Sequence, residues 1–144
     1  MVELIEVLKN ITLKMNKLNI KWGFVGTVNH FLQGVEINPK DIDIVISFND
    51  FEKVKNAFLN LNIKITLNEK SQEITFKLDK FNVQICADFK NTEHFKKRFE
   101  NENIKILNLE GIEFPVFNLK SEIECYLIEG RNEKANKLME FIKN

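Results

Sequence analysis

The sequence predicts an α/β fold, namely a mixed β-sheet flanked by helices, with further helices at the C-terminus. Apolar residues recur every three to four positions in some segments and at every second position in others, which indicates interspersed helices and strands. Short turns at Asp79-Lys80 and Glu110-Gly111 join neighbouring strands as hairpins, so the sheet is mixed rather than purely parallel. The 144 residues fit one domain that covers positions 1–144.

The N-terminal half alternates between the two patterns. Apolar residues between Leu4 and Met15 have the spacing of an amphipathic helix over 2–18. The following segments predict a strand over 22–25, a short helix that stops near Gly34, a strand over 41–46, and a helix over 51–61 that Asn49 caps.

The C-terminal half contains short strands followed by helices. We expect strands over 63–67, 74–78, 81–87, 104–109 and 112–116. A helix over 92–99 should be capped by Thr92 or Asn91, and Asn118 should cap a later helix. Gly130 ends that helix and separates it from the last one.

Charge and cysteine content limit the class of protein. Lys+Arg and Asp+Glu both number 21, so a net charge of zero gives no support for general nucleic-acid binding, although an RNA end stays open as an acceptor. Cys86 and Cys125 lack a pairing motif and are expected to be reduced thiols. The N-terminus is unlike a signal peptide, and no apolar run is long enough to span a bilayer. We therefore expect a cytoplasmic protein with no membrane partner.

Two aspartates stand one residue apart on a predicted strand. Alternate strand residues face the same side, so the Cα atoms of Asp41 and Asp43 should lie roughly 6.5 Å apart on one face. Ile42 and Ile44 should face the core. Paired carboxylates repel each other, and a hard cation with oxygen ligands, typically Mg²⁺, relieves that repulsion. Asp41 and Asp43 are therefore a candidate magnesium site.

A glycine and a hydroxyl residue follow the preceding strand. Gly26 lets the backbone come close to a phosphate, and the N-terminus of the next helix offers N–H groups to an anion. Thr27 adds a hydroxyl donor. Together with Asp41 and Asp43, these residues predict binding of a metal-bound nucleoside triphosphate.

The stretch from Gly26-Thr27 to Asp41 and Asp43 resembles the signature of the nucleotidyltransferase (polymerase-beta-like) superfamily. That signature is a glycine followed by glycine or serine, then a gap, then a carboxylate pair on a strand. Thr27 departs from it but keeps a hydroxyl. The resemblance implies a small single-domain member that uses Mg²⁺ to move a nucleoside monophosphate from a triphosphate to an acceptor hydroxyl.

The third carboxylate of the superfamily has no clear counterpart. It normally comes from a later strand, and often acts as the base that activates the acceptor hydroxyl. The corresponding position holds Gln84, which cannot accept a proton. Asp88 should lie on the same face, roughly 13 Å further along the strand. Either Asp88 is the catalytic third acid through a shifted register, or the third acid is missing.

Basic residues near the C-terminus are candidate triphosphate ligands. The resemblance to small nucleotidyltransferases implies that Arg131 and Lys134, close to Tyr126, reach the triphosphate. They are one helical turn apart and can share a face. The alternative is that they lie on a solvated helix face.

The sequence is compatible with two functions. One is a nucleotidyltransferase whose acceptor is a small molecule, a protein side chain or an RNA end. The other is a degenerate domain that binds nucleotide without efficient transfer, or that pairs with another protein as in toxin–antitoxin systems. A usable third acid distinguishes them. The sequence identifies neither the acceptor, nor the nucleotide, nor the oligomeric state.

Overall fold

The computed structural model describes residues 2–143, which form one seven-stranded sheet with helices on both faces. The helices are α1 Val2–Asn16, α2 Gly26–Leu32, α3 Phe51–Ala57, α4 Glu93–Phe95, α5 Leu119–Ile128 and α6 Asn132–Lys143. The strands are β1 Trp22–Val25, β2 Asp41–Ser47, β3 Lys64–Leu67, β4 Ser71–Leu78, β5 Phe81–Asp88, β6 Ile104–Leu109 and β7 Ile112–Phe117. A π-helical turn, Lys96–Glu100, continues α4.

The sheet is mixed, as predicted. Its strand order is β3-β4-β5-β2-β1-β7-β6. Strand β2 pairs with β5, and β1 with β7, in parallel, whereas the other neighbours are antiparallel. The hairpins β4–β5 and β6–β7 account for two of the antiparallel pairs. The α/β class with a mixed sheet is thereby confirmed.

One face of the sheet carries the larger hydrophobic core. Ile42, Ile44 and Ile46 alternate along β2 and are fully buried against this core. Helix α1 covers the same face with Leu4, Leu8 and other residues at helical spacing. This alternation fixes which side of β2 the two aspartates occupy.

The opposite face is only partly covered. Val45 packs there against Phe95, Phe99 and Cys125, which come from the α4 segment and from α5. Toward the start of β2 this apolar cover ends, and polar side chains line the sheet. The candidate site lies in that open part.

Most of the local signals were predicted correctly, but the Asn49 cap and the start of β4 were not. The side chains of Thr92 and Asn118 accept hydrogen bonds from backbone N–H groups at the starts of α4 and α5, as expected. Asn49 is not a helix N-cap, because it lies inside a 3-10 turn that precedes α3. Its own backbone N–H donates a hydrogen bond to the Ser47 hydroxyl, and α3 begins at Phe51. Strand β4 also starts earlier than predicted, at Ser71.

None of the helices within residues 2–143 combines the length and the apolar character that crossing a membrane requires.

Candidate active site

The two aspartates of β2 face the same side of the sheet. Asp41 is exposed and Asp43 is half-buried, while Ile42 and Ile44 point into the core on the other side. Asn82, on the neighbouring strand β5, donates a 3.2 Å hydrogen bond from Nδ2 to Oδ1 of Asp41. The strand alternation therefore produces the carboxylate pair that the sequence predicted.

The turn at Gly26 lies directly against Asp43. Strands β1 and β2 pair so that Val25 is opposite Asp43, which places the end of β1 beside the carboxylate. Gly26 has a φ of +71°, a left-handed conformation that favours glycine. A Cβ atom at this position would lie 2.7 Å from Oδ2 of Asp43, so a side chain would collide with the carboxylate.

A cavity of about 480 Å³ joins most of the predicted site residues. Its lining includes Gly26, Thr27, Asp41, Asp43, Arg131 and Lys134. Six of the seven residues predicted for the site thus share one cavity, although they come from β2, from the start of α2 and from the segment around the start of α6. The seventh, Asp88, is not part of the lining.

The two predicted basic residues lie against the same aromatic ring. The guanidinium carbon of Arg131 lies 5.4 Å from the centroid of the Tyr126 ring, and Nζ of Lys134 lies 5.8 Å from it. Arg131 precedes α6, because its carbonyl oxygen accepts the N–H of Ala135 and the helix itself begins at Asn132. Both cations therefore lie beside the same ring and line the cavity that contains the Asp pair, although Arg131 is not part of the helix that the one-turn spacing assumed.

A buried glutamate that the sequence interpretation missed holds α5 against the start of α2. Oε1 of Glu122 accepts a 2.9 Å hydrogen bond from the backbone N–H of Gly26 and a 3.3 Å bond from Nδ2 of Asn29. It also lies 2.9 Å from Nε2 of His30, which in turn is 3.2 Å from the Tyr126 hydroxyl. The Gly26 N–H is therefore already bound, and is not free for a phosphate.

Burial and charge act together on Asp43. Burial is the main cause that raises its pKa, to about 6, and the neighbouring carboxylates of Asp41 and Glu122 add to the effect. Lys134 and Arg131 act in the opposite direction. Asp43 thus carries its negative charge at a cost in free energy at neutral pH, and a cation beside it would reduce that cost.

The third-acid position holds an amide that is hydrogen-bonded to a glutamate. Strands β2 and β5 pair with Asp43 opposite Gln84, so the register is the unshifted one. Nε2 of Gln84 donates a 2.8 Å hydrogen bond to Oε1 of Glu73, a residue of β4 that also lines the cavity. Sequence interpretation missed Glu73, because its position depends on the pairing of β4 with β5.

Asp88 occupies a different environment from the one a catalytic acid would need. It is opposite Ser47 in the β2–β5 register, and only 3% of its surface is exposed. Nη1 of Arg98 donates a 2.9 Å hydrogen bond to Oδ2 of Asp88, and the Sγ of Cys86 donates to Oδ1 at 3.4 Å. The register shift that would have brought Asp88 to the Asp pair does not occur, and its carboxylate serves a buried ion pair instead.

The two cysteines are free thiols, as expected. Burial raises the pKa of Cys86 to about 12 and that of Cys125 to about 11. Both line the cavity, but a thiol with such a pKa stays protonated near neutral pH and is a poor nucleophile. They contribute packing rather than covalent chemistry.

The donor set fits a magnesium ion that arrives with a nucleotide. Within residues 2–143, no cluster of three or more His, Cys, Asp or Glu side chains is spaced to bind a metal ion. Asp41 and Asp43 alone would supply two carboxylates. Mg²⁺ is commonly held by one or two carboxylates together with substrate phosphates and water, so a pair is sufficient when the phosphates complete the shell.

A second cavity is also lined by the Asp pair. It measures about 690 Å³, and both Asp41 and Asp43 belong to its lining. Lys77, Asn82 and Thr75 are among its other residues. The Asp pair and Gln84 are therefore shared by a cavity that contains Gly26-Thr27 and by one that does not.

Solved structures with this architecture are nucleotidyltransferase folds. TM1012, a proposed nucleotidyltransferase of Thermotoga maritima, is 23% identical with a TM-score of 0.72, and the match covers 98% of this chain and 93% of that one. ANT(2″)-Ia in complex with adenylyl-2″-tobramycin is 10% identical with a TM-score of 0.67, over 96% of this chain and 87% of that one. The lincomycin-bound lincosamide adenylyltransferase LnuA is 16% identical with a TM-score of 0.57, over 84% and 82%.

The chain has the nucleotidyltransferase fold. No protein-family model and no curated protein matches the sequence. The fold was nevertheless predictable, because a short stretch around Gly26-Thr27 and the Asp pair follows the superfamily signature. Within this nucleotidyltransferase fold, Gly26, Thr27, Asp41 and Asp43 occupy the turn and the strand that the signature anticipated.

Proposed function

We propose that the protein is a Mg²⁺-dependent nucleotidyltransferase that moves a nucleoside monophosphate from a nucleoside triphosphate to an acceptor hydroxyl. The observation that carries the proposal is the shared cavity, in which the carboxylates of Asp41 and Asp43 face the Gly26-Thr27 turn and the cations Arg131 and Lys134. An acidic pair beside two cations matches a metal-bound polyphosphate, whose charges alternate in the same way.

Each group has a role that its position supports. Asp41 and Asp43 would hold Mg²⁺, which when bound neutralises charge on the α-phosphoryl group and orients it for in-line displacement. The Thr27 hydroxyl is a hydrogen-bond donor for a phosphate oxygen. Arg131 and Lys134 line the cavity from the junction of α5 and α6, where they can bind the phosphates that leave.

The acceptor would approach over β5 and β4, where Gln84 and Glu73 line the same cavity as the Asp pair. In-line transfer needs the attacking oxygen and the leaving oxygen on opposite sides of the phosphorus, and β2 with its Asp pair lies between β5 on one side and β1 on the other. The second cavity, which Gln84 and the Asp pair also line, would hold the rest of the acceptor. Apart from the Asp pair its lining contains no carboxylate but includes Lys77, so we expect a neutral or anionic hydroxyl compound rather than a polycation such as tobramycin, which ANT(2″)-Ia binds in adenylylated form.

The second candidate function is nucleotide binding without efficient transfer. Gln84 favours it, because an amide opposite Asp43 can neither accept a proton nor neutralise a second metal ion. For either function we propose a cytoplasmic location, since free thiols persist in a reducing compartment.

Thermal unfolding with Mg²⁺ and non-hydrolysable α,β-methylene analogues of the four nucleoside triphosphates tests both candidates. Metal and analogue together should raise the Tm by about 5–10 °C at 100-fold excess over the Kd, and more than either alone, because the metal bridges protein and phosphate. Asp43→Asn should abolish the joint effect while the protein stays folded. Asp79→Asn, in an exposed turn outside both cavities, is the matched control and should keep the effect.

An equal Tm increase in wild type and in Asp43→Asn would contradict metal binding at this pair. Labelled triphosphates with a panel of acceptors then separate the two candidates, because only a nucleotidyltransferase attaches the α-phosphate label to an acceptor. Tobramycin and lincomycin belong in that panel, together with phosphorylated polyols and an RNA with a free 3′ end.

A further inference from the structure

We propose that Glu73 of β4 is the catalytic base for the acceptor hydroxyl and that Gln84 holds it in place. This inference rests on the proposed nucleotidyl transfer. The acid that the fold ordinarily carries on β5 would then have moved to the adjacent strand, and the glutamine at its old position would have become the residue that positions it.

The sheet register places Glu73 on the correct face. Strand β5 pairs with β2 so that Gln84 is opposite Asp43, and with β4 so that Thr75 is opposite Gln84. Paired residues of neighbouring strands share a face, and so do residues two apart on one strand. Glu73 therefore points to the same side as Asp43, one row away, and it lines the same cavity.

The tether between Glu73 and Gln84 is direct. Nε2 of Gln84 donates a 2.8 Å hydrogen bond to Oε1 of Glu73, while Asn68 makes a longer 3.3 Å contact with Oε2. A glutamate side chain is one methylene longer than aspartate, which extends its reach from the more distant strand. Gln84 thus draws the carboxylate toward the row that contains Asp43.

Each of the other carboxylates in the described cavity lining already has a charged or backbone partner or a proposed role in metal binding. Asp41 and Asp43 form the candidate metal pair. Glu122 accepts hydrogen bonds from Gly26 and its neighbours, and Glu129 lies 2.7 Å from Nε2 of His94. Among the described residues, no salt bridge involves Glu73. Its carboxylate is therefore open to a hydroxyl group that enters the cavity.

The proposed step moves the α-phosphoryl group from the triphosphate to the acceptor. The acceptor oxygen attacks the α-phosphorus, its proton passes to the Glu73 carboxylate, and a new phosphorus–oxygen bond forms to the acceptor. The bond between the α-phosphorus and its bridging oxygen to the β-phosphorus breaks, and pyrophosphate leaves with the electron pair. Glu73 then returns its proton to water. No oxidant or further reactant is needed.

Substitutions at Glu73 separate base catalysis from nucleotide binding. Transfer is measured with α-phosphate-labelled triphosphates and a panel of acceptors that includes water, polyols and the chain's own hydroxyls. Glu73→Gln should lower the rate by about 10²–10⁴-fold, the typical loss for a missing base, while keeping the Tm increase with Mg²⁺ and the methylene analogues. Glu73→Asp should retain part of the rate. Glu69→Gln, an exposed glutamate in the turn before β4, is the control and should stay at the wild-type rate.

Restoring an acid on β5 gives a readout that loss of stability would not produce. In the Glu73→Gln background, Gln84→Asp should raise transfer at least about tenfold, because it returns a proton acceptor to the position opposite Asp43. Gln84→Ala alone should reduce transfer, since Glu73 loses its tether, without changing the Tm increase with metal and analogue.

Three results would overturn the assignment. One is a Glu73→Gln rate within threefold of wild type. Another is a wild-type protein that binds Mg²⁺ and analogue but transfers to no acceptor, since this leaves a nucleotide-binding domain without a working base. The third is a Glu73→Gln protein that loses nucleotide binding together with transfer, because Glu73 then belongs to the binding site. A wild type that neither binds nor transfers would instead overturn the proposed function itself.

Discussion

Asp43 contacts Gly26 so closely that the glycine has no room for a side chain. A Cβ atom at Gly26 would lie 2.7 Å from Oδ2 of Asp43, and the backbone φ of +71° independently disfavours any other residue. One constraint is steric and the other conformational, and both act on the same position. The Gly-Thr turn and the Asp pair therefore form one structural unit, in which a change at either residue alters the other.

Gly26→Ala should reduce stability and abolish the joint stabilisation by Mg²⁺ and triphosphate analogue. The left-handed conformation costs an alanine about 1–2 kcal/mol, and displacing Asp43 adds about 1–3 kcal/mol of overpacking. Gly111→Ala is the matched control, because Gly111 has a similar φ of +79° and nothing within 4 Å of its Cβ position. Urea unfolding of the two variants isolates the contact with Asp43, and equal losses would show that the contact is not restrictive.

Much of the fold was predictable because its signals are local. Alternating apolar residues identified β2 and the face that carries the Asp pair. Caps at Thr92 and Asn118 marked the starts of two helices, because a side chain a few residues away satisfies the free N–H groups. Each of these signals needs only neighbours in the sequence, so it can be interpreted before the chain is folded.

The parts of the site that were missed depend on contacts between distant segments. Glu73 reaches Gln84 only because β4 and β5 pair in one particular register. Asp88 meets Arg98 because the π-helical turn after α4 packs on the end of β5. Glu122 did leave a signal that was overlooked, since it falls within the apolar stripe of α5 beside Ile123 and Tyr126. A charged residue in such a stripe indicates a buried polar partner.

The contribution of Asp43 to the stability of the metal-free protein should fall as the pH rises from about 4 to 6. The pKa of Asp43 is raised from 3.8 to about 6, mainly by burial, so the folded state binds a proton that the unfolded state has already released. The stabilisation is complete below pH 3.8, is lost through this window, and stays lost at higher pH. In Asp43→Asn this component is absent.

The measurement is the free energy of unfolding of both proteins at pH 4, 5, 6, 7 and 8. The difference between Asp43→Asn and wild type should shift in favour of the variant by on the order of 1–3 kcal/mol between pH 4 and pH 6, and level off by about pH 7. Asp79→Asn controls for the change in net charge. A difference that is flat from pH 4 to pH 8 would mean that Asp43 ionises as freely as in the unfolded chain.

Asp88→Asn should act mainly on stability. Asp88 and Arg98 are 3% and 8% exposed, and the substitution would leave the guanidinium buried without its partner. Breaking a buried ion pair in this way costs about 3–5 kcal/mol. Joint replacement by Asp88→Leu and Arg98→Met should recover a large part of that loss, because no isolated charge remains.

Chemical unfolding provides the stabilities, and Glu52→Gln is the control. Glu52 pairs with Lys55 on the exposed side of α3, so its loss should change stability by no more than about 0.5 kcal/mol. Folded Asp88→Asn should still gain Tm with Mg²⁺ and triphosphate analogue. If this variant stayed as stable as wild type but lost transfer, Asp88 would be a catalytic acid after all.

Glu122→Gln should affect both the stability of the fold and the ionisation of Asp43. Glutamine keeps an acceptor oxygen for the Gly26 N–H but loses the charge that strengthens the bond, a loss of about 1–3 kcal/mol. The Glu122 carboxylate is one of the causes that raise the pKa of Asp43, so the variant should lower that pKa. The pH range over which ionisation of Asp43 changes the free energy of unfolding should then become narrower. Glu124→Gln, on the exposed side of α5, is the control and should change neither quantity appreciably. If Glu122→Gln matched Glu124→Gln in stability and in pH profile, the buried carboxylate would have no part in fixing α5 against the Gly26 turn.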